Sequence, residues 1–143
     1  MTALDPITVS VSVQAGPKRA WEMFTDPTSV TEWNFASPDW HCPHAQSDLR
    51  EGGKFCYRME ARDGSFGFDF EGTFLEVALP TRLRYSLGEN REVVVQFTRK
   101  GRRTVVTQSF TPEPTHSREQ QRSGWQSILE NYKKHVEAVA GEP

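Results

Sequence analysis

At 143 residues the chain has the length of one domain, 1–143, and can bury a hydrophobic core without a metal or disulfide staple. Hydrophobic residues at 36% and charged residues at 25% exclude a disordered tail and a membrane-embedded protein. A formal charge of −2 argues against a nucleic-acid binder.

The chain opens MTALDPITVS, which lacks the basic and apolar regions of a signal peptide and so points to the cytoplasm. Strict alternation follows, with Ile7, Val9, Val11 and Val13 on one face and Thr8, Ser10, Ser12 and Gln14 on the other. That period of two predicts a strand with one wet face. Gly16-Pro17 breaks it, and Pro17 suits the first turn of a helix whose stripe is Ala20, Trp21 and Phe24. Asp26-Pro27 stops this helix, and Asp26 caps a second short one that turns Val30 and Trp33 inward. No apolar run approaches the roughly 18 residues of a spanning helix, so no membrane insertion is expected.

The next stretch, NFASPDWHCPHAQS, reads as a loop, and an antiparallel meander begins after Ser47. Glu51-Gly52-Gly53 marks a turn, and KFCYRMEA then places Phe55, Tyr57, Met59 and Ala61 on one face. Asp63-Gly64 is a two-residue hairpin signal. With those residues at the tip, Arg62 opposes Ser65, Ala61 opposes Phe66, Met59 opposes Phe68, Tyr57 opposes Phe70, and Phe55 opposes Gly72. On the other face Arg58 opposes Asp69, a charge pair that supports the same register. Gly72 relieves crowding against Phe55 or permits a bulge. Pro80 closes the strand. RLRYSL follows, with Leu83, Tyr85 and Leu87 on one face, then a GENR turn, EVVVQFT, a Lys100-Gly101 turn and RTVVTQSF.

Pro112 and Pro114 end the sheet, and Ser117 with Gln120 makes a capping box for the last helix. Trp125, Ile128, Leu129, Tyr132, Val136 and Val139 recur along one stripe of it, and Gly141 suits its stop. Gly124 costs helix stability, and its place beside Trp125 suggests a close approach to the sheet. The order is a strand, two short helices, about six further strands and a long amphipathic helix that covers one sheet face.

Four stretches, AWEMFTDPTSVTEW, DLREGGKFCYRM, FEGTFLEVALPTRLRYS and GWQSILENYKKHVE, stand in an order that resembles the START-like (SRPBCC) superfamily. Within it, the chain most resembles the activator of heat-shock protein 90 ATPase homologue-like family. The resemblance spans nearly the whole chain and implies a helix-grip fold. That is an α+β arrangement in which a curved antiparallel sheet of about seven strands surrounds a long C-terminal helix, with a cavity between them. Members range from lipid and hormone binders through polyketide-cyclase-like enzymes to chaperone activators, and fold alone does not choose among them.

The run His41-Cys42-Pro43-His44 contains metal-ligand types. Structural zinc takes four ligands, often in paired clusters, and this run is one tight group without a second cluster downstream. A nucleophilic Cys42 needs an orienting base and an oxyanion-stabilising group. Neighbouring side chains on an extended segment diverge, so Cys42 is poorly placed to use His41. The two cysteines, Cys42 and Cys56, suit free thiols in a reducing compartment. The remaining reading is an arch over the cavity mouth, bracketed by Trp33, Phe35 and Trp40, with His41 and His44 as rim groups that orient a ligand. Its alternative is a pair of exposed loop histidines without a task. The basic run Arg99, Lys100, Arg102 and Arg103 at a hairpin tip reads as a wet loop.

These readings converge on binding of a small apolar or aromatic molecule in the central cavity, by a monomer or weak homodimer, with no cofactor, metal or nucleic acid. The expected ligand-binding residues are Trp33, Trp40, His41, His44, Tyr57, Phe68, Phe70, Tyr85, Trp125 and Leu129. No residue is assigned as catalytic. Cyclase- or hydrolase-like chemistry in the same cavity, with Tyr57, His41 or His44 as acid or base, is the alternative. A co-chaperone role, implied by the family resemblance, is the third. The chain resembles a single helix-grip domain of such an activator, without a second domain for gripping a chaperone.

Overall fold

Alternation over the first described residues forms β1 (Ile7–Val13), whose Ile7, Val9, Val11 and Val13 are buried while Thr8 and Ser10 face solvent. The structure is a computed structural model that describes residues 5–88 and 90–140. Residues 1–4 of the N-terminal stretch, Glu89 of the GENR turn and the expected helix stop at Gly141 lie outside the described residues. Pro17 opens α1 (Pro17–Thr25), and Asp26 then works in both directions. Its backbone N–H donates to Glu22 at 2.9 Å, closing α1, while its carboxylate accepts from the Ser29 N–H at 3.3 Å and caps α2 (Pro27–Trp33).

The segment expected to be a loop is instead β2 (Trp40–Ser47), paired antiparallel with β3 (Lys54–Ala61). Pro43 disguised it, because a proline cannot donate to a ladder and argues against a strand. Here it sits on the outermost strand, in a bulge between His41 and His44, and an edge and a bulge both tolerate proline.

The hairpin of β3 and β4 (Gly67–Ala78) has the expected register: Phe55 faces Gly72, Tyr57 faces Phe70, Arg58 faces Asp69, and Met59 faces Phe68. Its tip differs. Ala61 still bonds to Phe66 at 2.9 Å, but Arg62 does not pair with Ser65; its N–H donates to Asp39 at 2.8 Å and its Nε to Pro38 at 2.9 Å. The loop is therefore four residues long and is tied to the segment after α2. Gly64 takes φ of 77° there, which a side chain disfavours. β4 bulges between Phe74 and Glu76, leaving Leu75 exposed.

Three more strands complete the meander: β5 (Arg82–Gly88), β6 (Arg91–Lys100) and β7 (Arg103–Phe110). The seven-stranded sheet runs β1-β7-β6-β5-β4-β3-β2, all antiparallel, and curls into a half-barrel. α3 (Arg118–Ala140) begins with the expected capping box, in which Ser117 and Gln120 exchange hydrogen bonds of 3.1 Å.

What places α3 decides where space remains. Its side chains satisfy the free edge of β1 and the residue that follows it: Gln126 donates to the Ser10 carbonyl at 3.1 Å, and Glu137 accepts from the Gln14 N–H at 3.1 Å. The Tyr132 hydroxyl donates to Ala20 of α1 at 2.6 Å, and Asn131 donates to Phe35 at 2.6 Å. The helix thus packs on β1, α1 and α2. Trp21, Phe24, Trp33, Phe97 and Tyr132 fill that end with ring contacts of 5.2–5.6 Å. Over β3, β4 and β5 the closure is incomplete.

Candidate ligand-binding cavity

The incomplete closure leaves a cavity of about 170 Å³. Its floor is the concave face of the meander: Phe55, Tyr57 and Met59 of β3, Phe68, Phe70 and Phe74 of β4, Leu83 and Tyr85 of β5, and Gln108 of β7. Its roof comes from Phe24 and Thr25 of α1, Trp33 of α2, the adjoining Asn34, and Trp125 and Ile128 of α3. The alternation of each strand places these side chains on one face, and the helical spacing of Trp125 and Ile128 turns both toward it. Trp125 is held by stacking on Phe110, with ring centroids 3.9 Å apart.

The polar groups of the lining divide into two sets. Some are already engaged: the Trp33 Nε1–H donates to Met23 at 3.0 Å, and the Thr25 hydroxyl donates to Trp21 at 2.9 Å. Asn34 donates through Nδ2 to the Met59 sulfur at 3.3 Å. The others are the phenols of Tyr57 and Tyr85, with Ser47 beside the first and Gln108 beside the second. The Ser47 hydroxyl is buried without closing a hydrogen bond. Burial, and for Tyr57 also the nearness of Tyr85, pushes both phenols well above the ordinary tyrosine pKa. Among the described residues, no Asp, Glu, Lys, Arg or His lines the cavity.

Of the residues expected at the site, Trp33, Tyr57, Phe68, Phe70, Tyr85 and Trp125 line this cavity. Leu129 is buried in the core, 1% exposed, and does not reach it. Trp40 stands beside the rim, packed on Phe66 and Phe68 with centroids 5.9 and 6.0 Å away. His41 and His44 are elsewhere. His41 pairs with Glu60 and lies 3.8 Å from its carboxylate, and His44 is exposed, 3.1 Å from the Gln46 amide.

The bulge explains why neither histidine turns inward. Residues three apart on a regular strand face opposite sides, but the extra residue at Cys42-Pro43 sets His41 opposite Glu60 and His44 opposite Arg58. Both partners belong to the convex face, so both histidines do too, while Cys42 between them turns inward, 2% exposed. Burial raises the Cys42 thiol pKa, the opposite of what a nucleophile needs. Cys42 and Cys56 are both free thiols. Among the described residues no cluster of three or more His, Cys, Asp or Glu side chains is placed to hold a metal.

Thr25, Asn34 and Gln108 are lining residues that sequence reasoning missed. For Gln108 a signal existed: it shares a face with Thr104, Val106 and Phe110, all buried, so it is a polar side chain at an inward position. Asn34 follows α2 and gives no periodic signal.

No helix among the described residues is long and apolar enough to cross a membrane. A search of curated proteins finds no match to this chain. Among solved structures, the AHSA1-like protein from Aeromonas hydrophila is 42% identical, with a TM-score of 0.86 over 95% of this chain and 96% of that one. A protein from Cytophaga hutchinsonii is 40% identical, with a TM-score of 0.81 over 96% of each chain. A Nitrosomonas europaea protein, only 18% identical, shares the fold with a TM-score of 0.83 over 99% of this chain and 100% of that one. The family model described as "Activator of Hsp90 ATPase homolog 1-like protein" matches residues 14–137, nearly the full span of strands and helices above, and the chain belongs to that family.

Proposed function

We propose that this protein binds a small apolar or aromatic molecule in the cavity between sheet and helices. One observation carries the reading: α3 is drawn toward β1, and about 170 Å³ beneath it is left unfilled. Protein interiors otherwise hold few voids larger than a water molecule. An engineered apolar cavity of about 150 Å³ in another protein binds benzene, so a compound of one or two rings matches this one.

Titration with naphthalene should shift the NMR resonances of Tyr57, Phe70, Tyr85 and Trp125 and raise the melting temperature. Ile128→Phe, which adds bulk from the roof, should weaken that binding by about tenfold or more. An unchanged spectrum at saturating naphthalene would sink the proposal. The enzymatic alternative loses support from the placement of His41 and His44 outside the cavity, which leaves only Tyr57, a phenol that holds its proton tightly. Activation of a chaperone ATPase, the activity in the family's description, is a separate reading. An unchanged chaperone ATPase rate on adding this protein removes it.

A further inference from the structure

The cavity-binding reading leaves the class of ligand open, and the chemistry of the lining narrows it. The walls are mostly aromatic and aliphatic, and among the described residues they carry no ionisable group other than the two phenols. A carboxylate or ammonium entering this space would leave water without meeting an opposite charge, at a cost of several kcal/mol. Polar capacity is concentrated on the sheet side. The polar neighbours of Tyr57 are Ser47, Tyr85 and Cys42, and that of Tyr85 is Gln108, so the cluster is uncharged throughout. Hydroxyl and amide groups both donate and accept, which suits an oxygen that does either. Ser47 stands next to Tyr57 outside the cavity lining, so within the cavity the polar groups on the sheet side are the two phenols and the Gln108 amide.

We infer that the ligand is an uncharged molecule of one or two rings bearing a hydroxyl or carbonyl oxygen, which is recognised by the Tyr57, Tyr85 and Gln108 cluster. Acids and amines with the same ring system are excluded. The inference rests on the cavity-binding reading and is tested by a series built on one skeleton: naphthalene, naphthol, naphthoate and the ammonium form of aminomethylnaphthalene. Calorimetric titration near neutral pH should show naphthol binding at least as tightly as the more hydrophobic naphthalene. Both ions should bind at least about a hundredfold more weakly than naphthol. In the double variant Tyr57→Phe, Tyr85→Phe, naphthol should lose about tenfold while naphthalene stays within about twofold, because only the hydrogen bonds are removed.

Naphthoate or the ammonium ion binding within about tenfold of naphthol overturns the inference and leaves cavity binding standing. So does a double variant that binds naphthol as tightly as the parent. If naphthalene itself does not bind, the cavity-binding reading fails and this inference fails with it.

Discussion

At Gly72 a methyl group would meet the Ser86 carbonyl and lie 2.9 Å from the Phe55 ring. The expected crowding is therefore present, and relief comes from the missing side chain, while the β4 bulge lies two residues on. Gly124 is the reverse case: a methyl there meets nothing within 4 Å, so the close approach expected at this helix position does not exist. Opposite outcomes follow for the same substitution. Gly72→Ala should destabilise by about 1–3 kcal/mol through overpacking, and Gly124→Ala should stabilise by about 0.5–1 kcal/mol through helix propensity. Denaturant unfolding of the two variants measures both. The sequence marked Gly72 correctly because strand register names its partner; it misled at Gly124 because nothing local reports how far a helix stands from a sheet.

Among the elements, α3 combines a stripe legible in sequence with one costly polar group. Leu129, Tyr132 and Val136 are buried as their spacing implies. His135 lies beside them, with its Nε2 buried and unpartnered. Burial lowers its pKa, opposed in part by Glu32 on α2. Below the ordinary value of about 6.5 the unfolded chain takes up this proton more readily than the folded one, so stability is lost as pH falls. Urea unfolding between about pH 7 and 5 should show that loss, and His135→Leu should reduce its slope. A slope unchanged by the variant would place the acid sensitivity elsewhere. β2 teaches the complementary lesson about elements. Its residue types looked like chemistry and its proline looked like a loop, yet edge position and a bulge accommodate both.

For the whole molecule, three phenols, Tyr85 and Tyr132 buried and Tyr57 half-buried, give a second pH limit. Tyr57, Tyr85 and Tyr132 all have pKa values raised by burial, so above about pH 10 the unfolded state releases protons that the folded state retains. Stability should fall by up to about 1.4 kcal/mol per phenol per pH unit beyond that point, measured by thermal unfolding across the alkaline range. A Tyr57→Phe, Tyr85→Phe protein should show a shallower fall, and an equal one would mean that these phenols do not retain their protons. The molecule's outline was readable from residues 7–13, the β3–β4 register, the Asp26 cap and the α3 stripe. Each is written in contacts between near neighbours or across one short turn, where spacing along the chain dictates which groups meet. Cavity size, the exclusion of Leu129 and the outward facing of His41 and His44 were not readable. They depend on where α3 is anchored across the edge of β1 and on one extra residue in β2, both settled by packing between distant segments. By itself the sequence determined which faces are apolar, and only the tertiary structure decided how completely those faces close on one another.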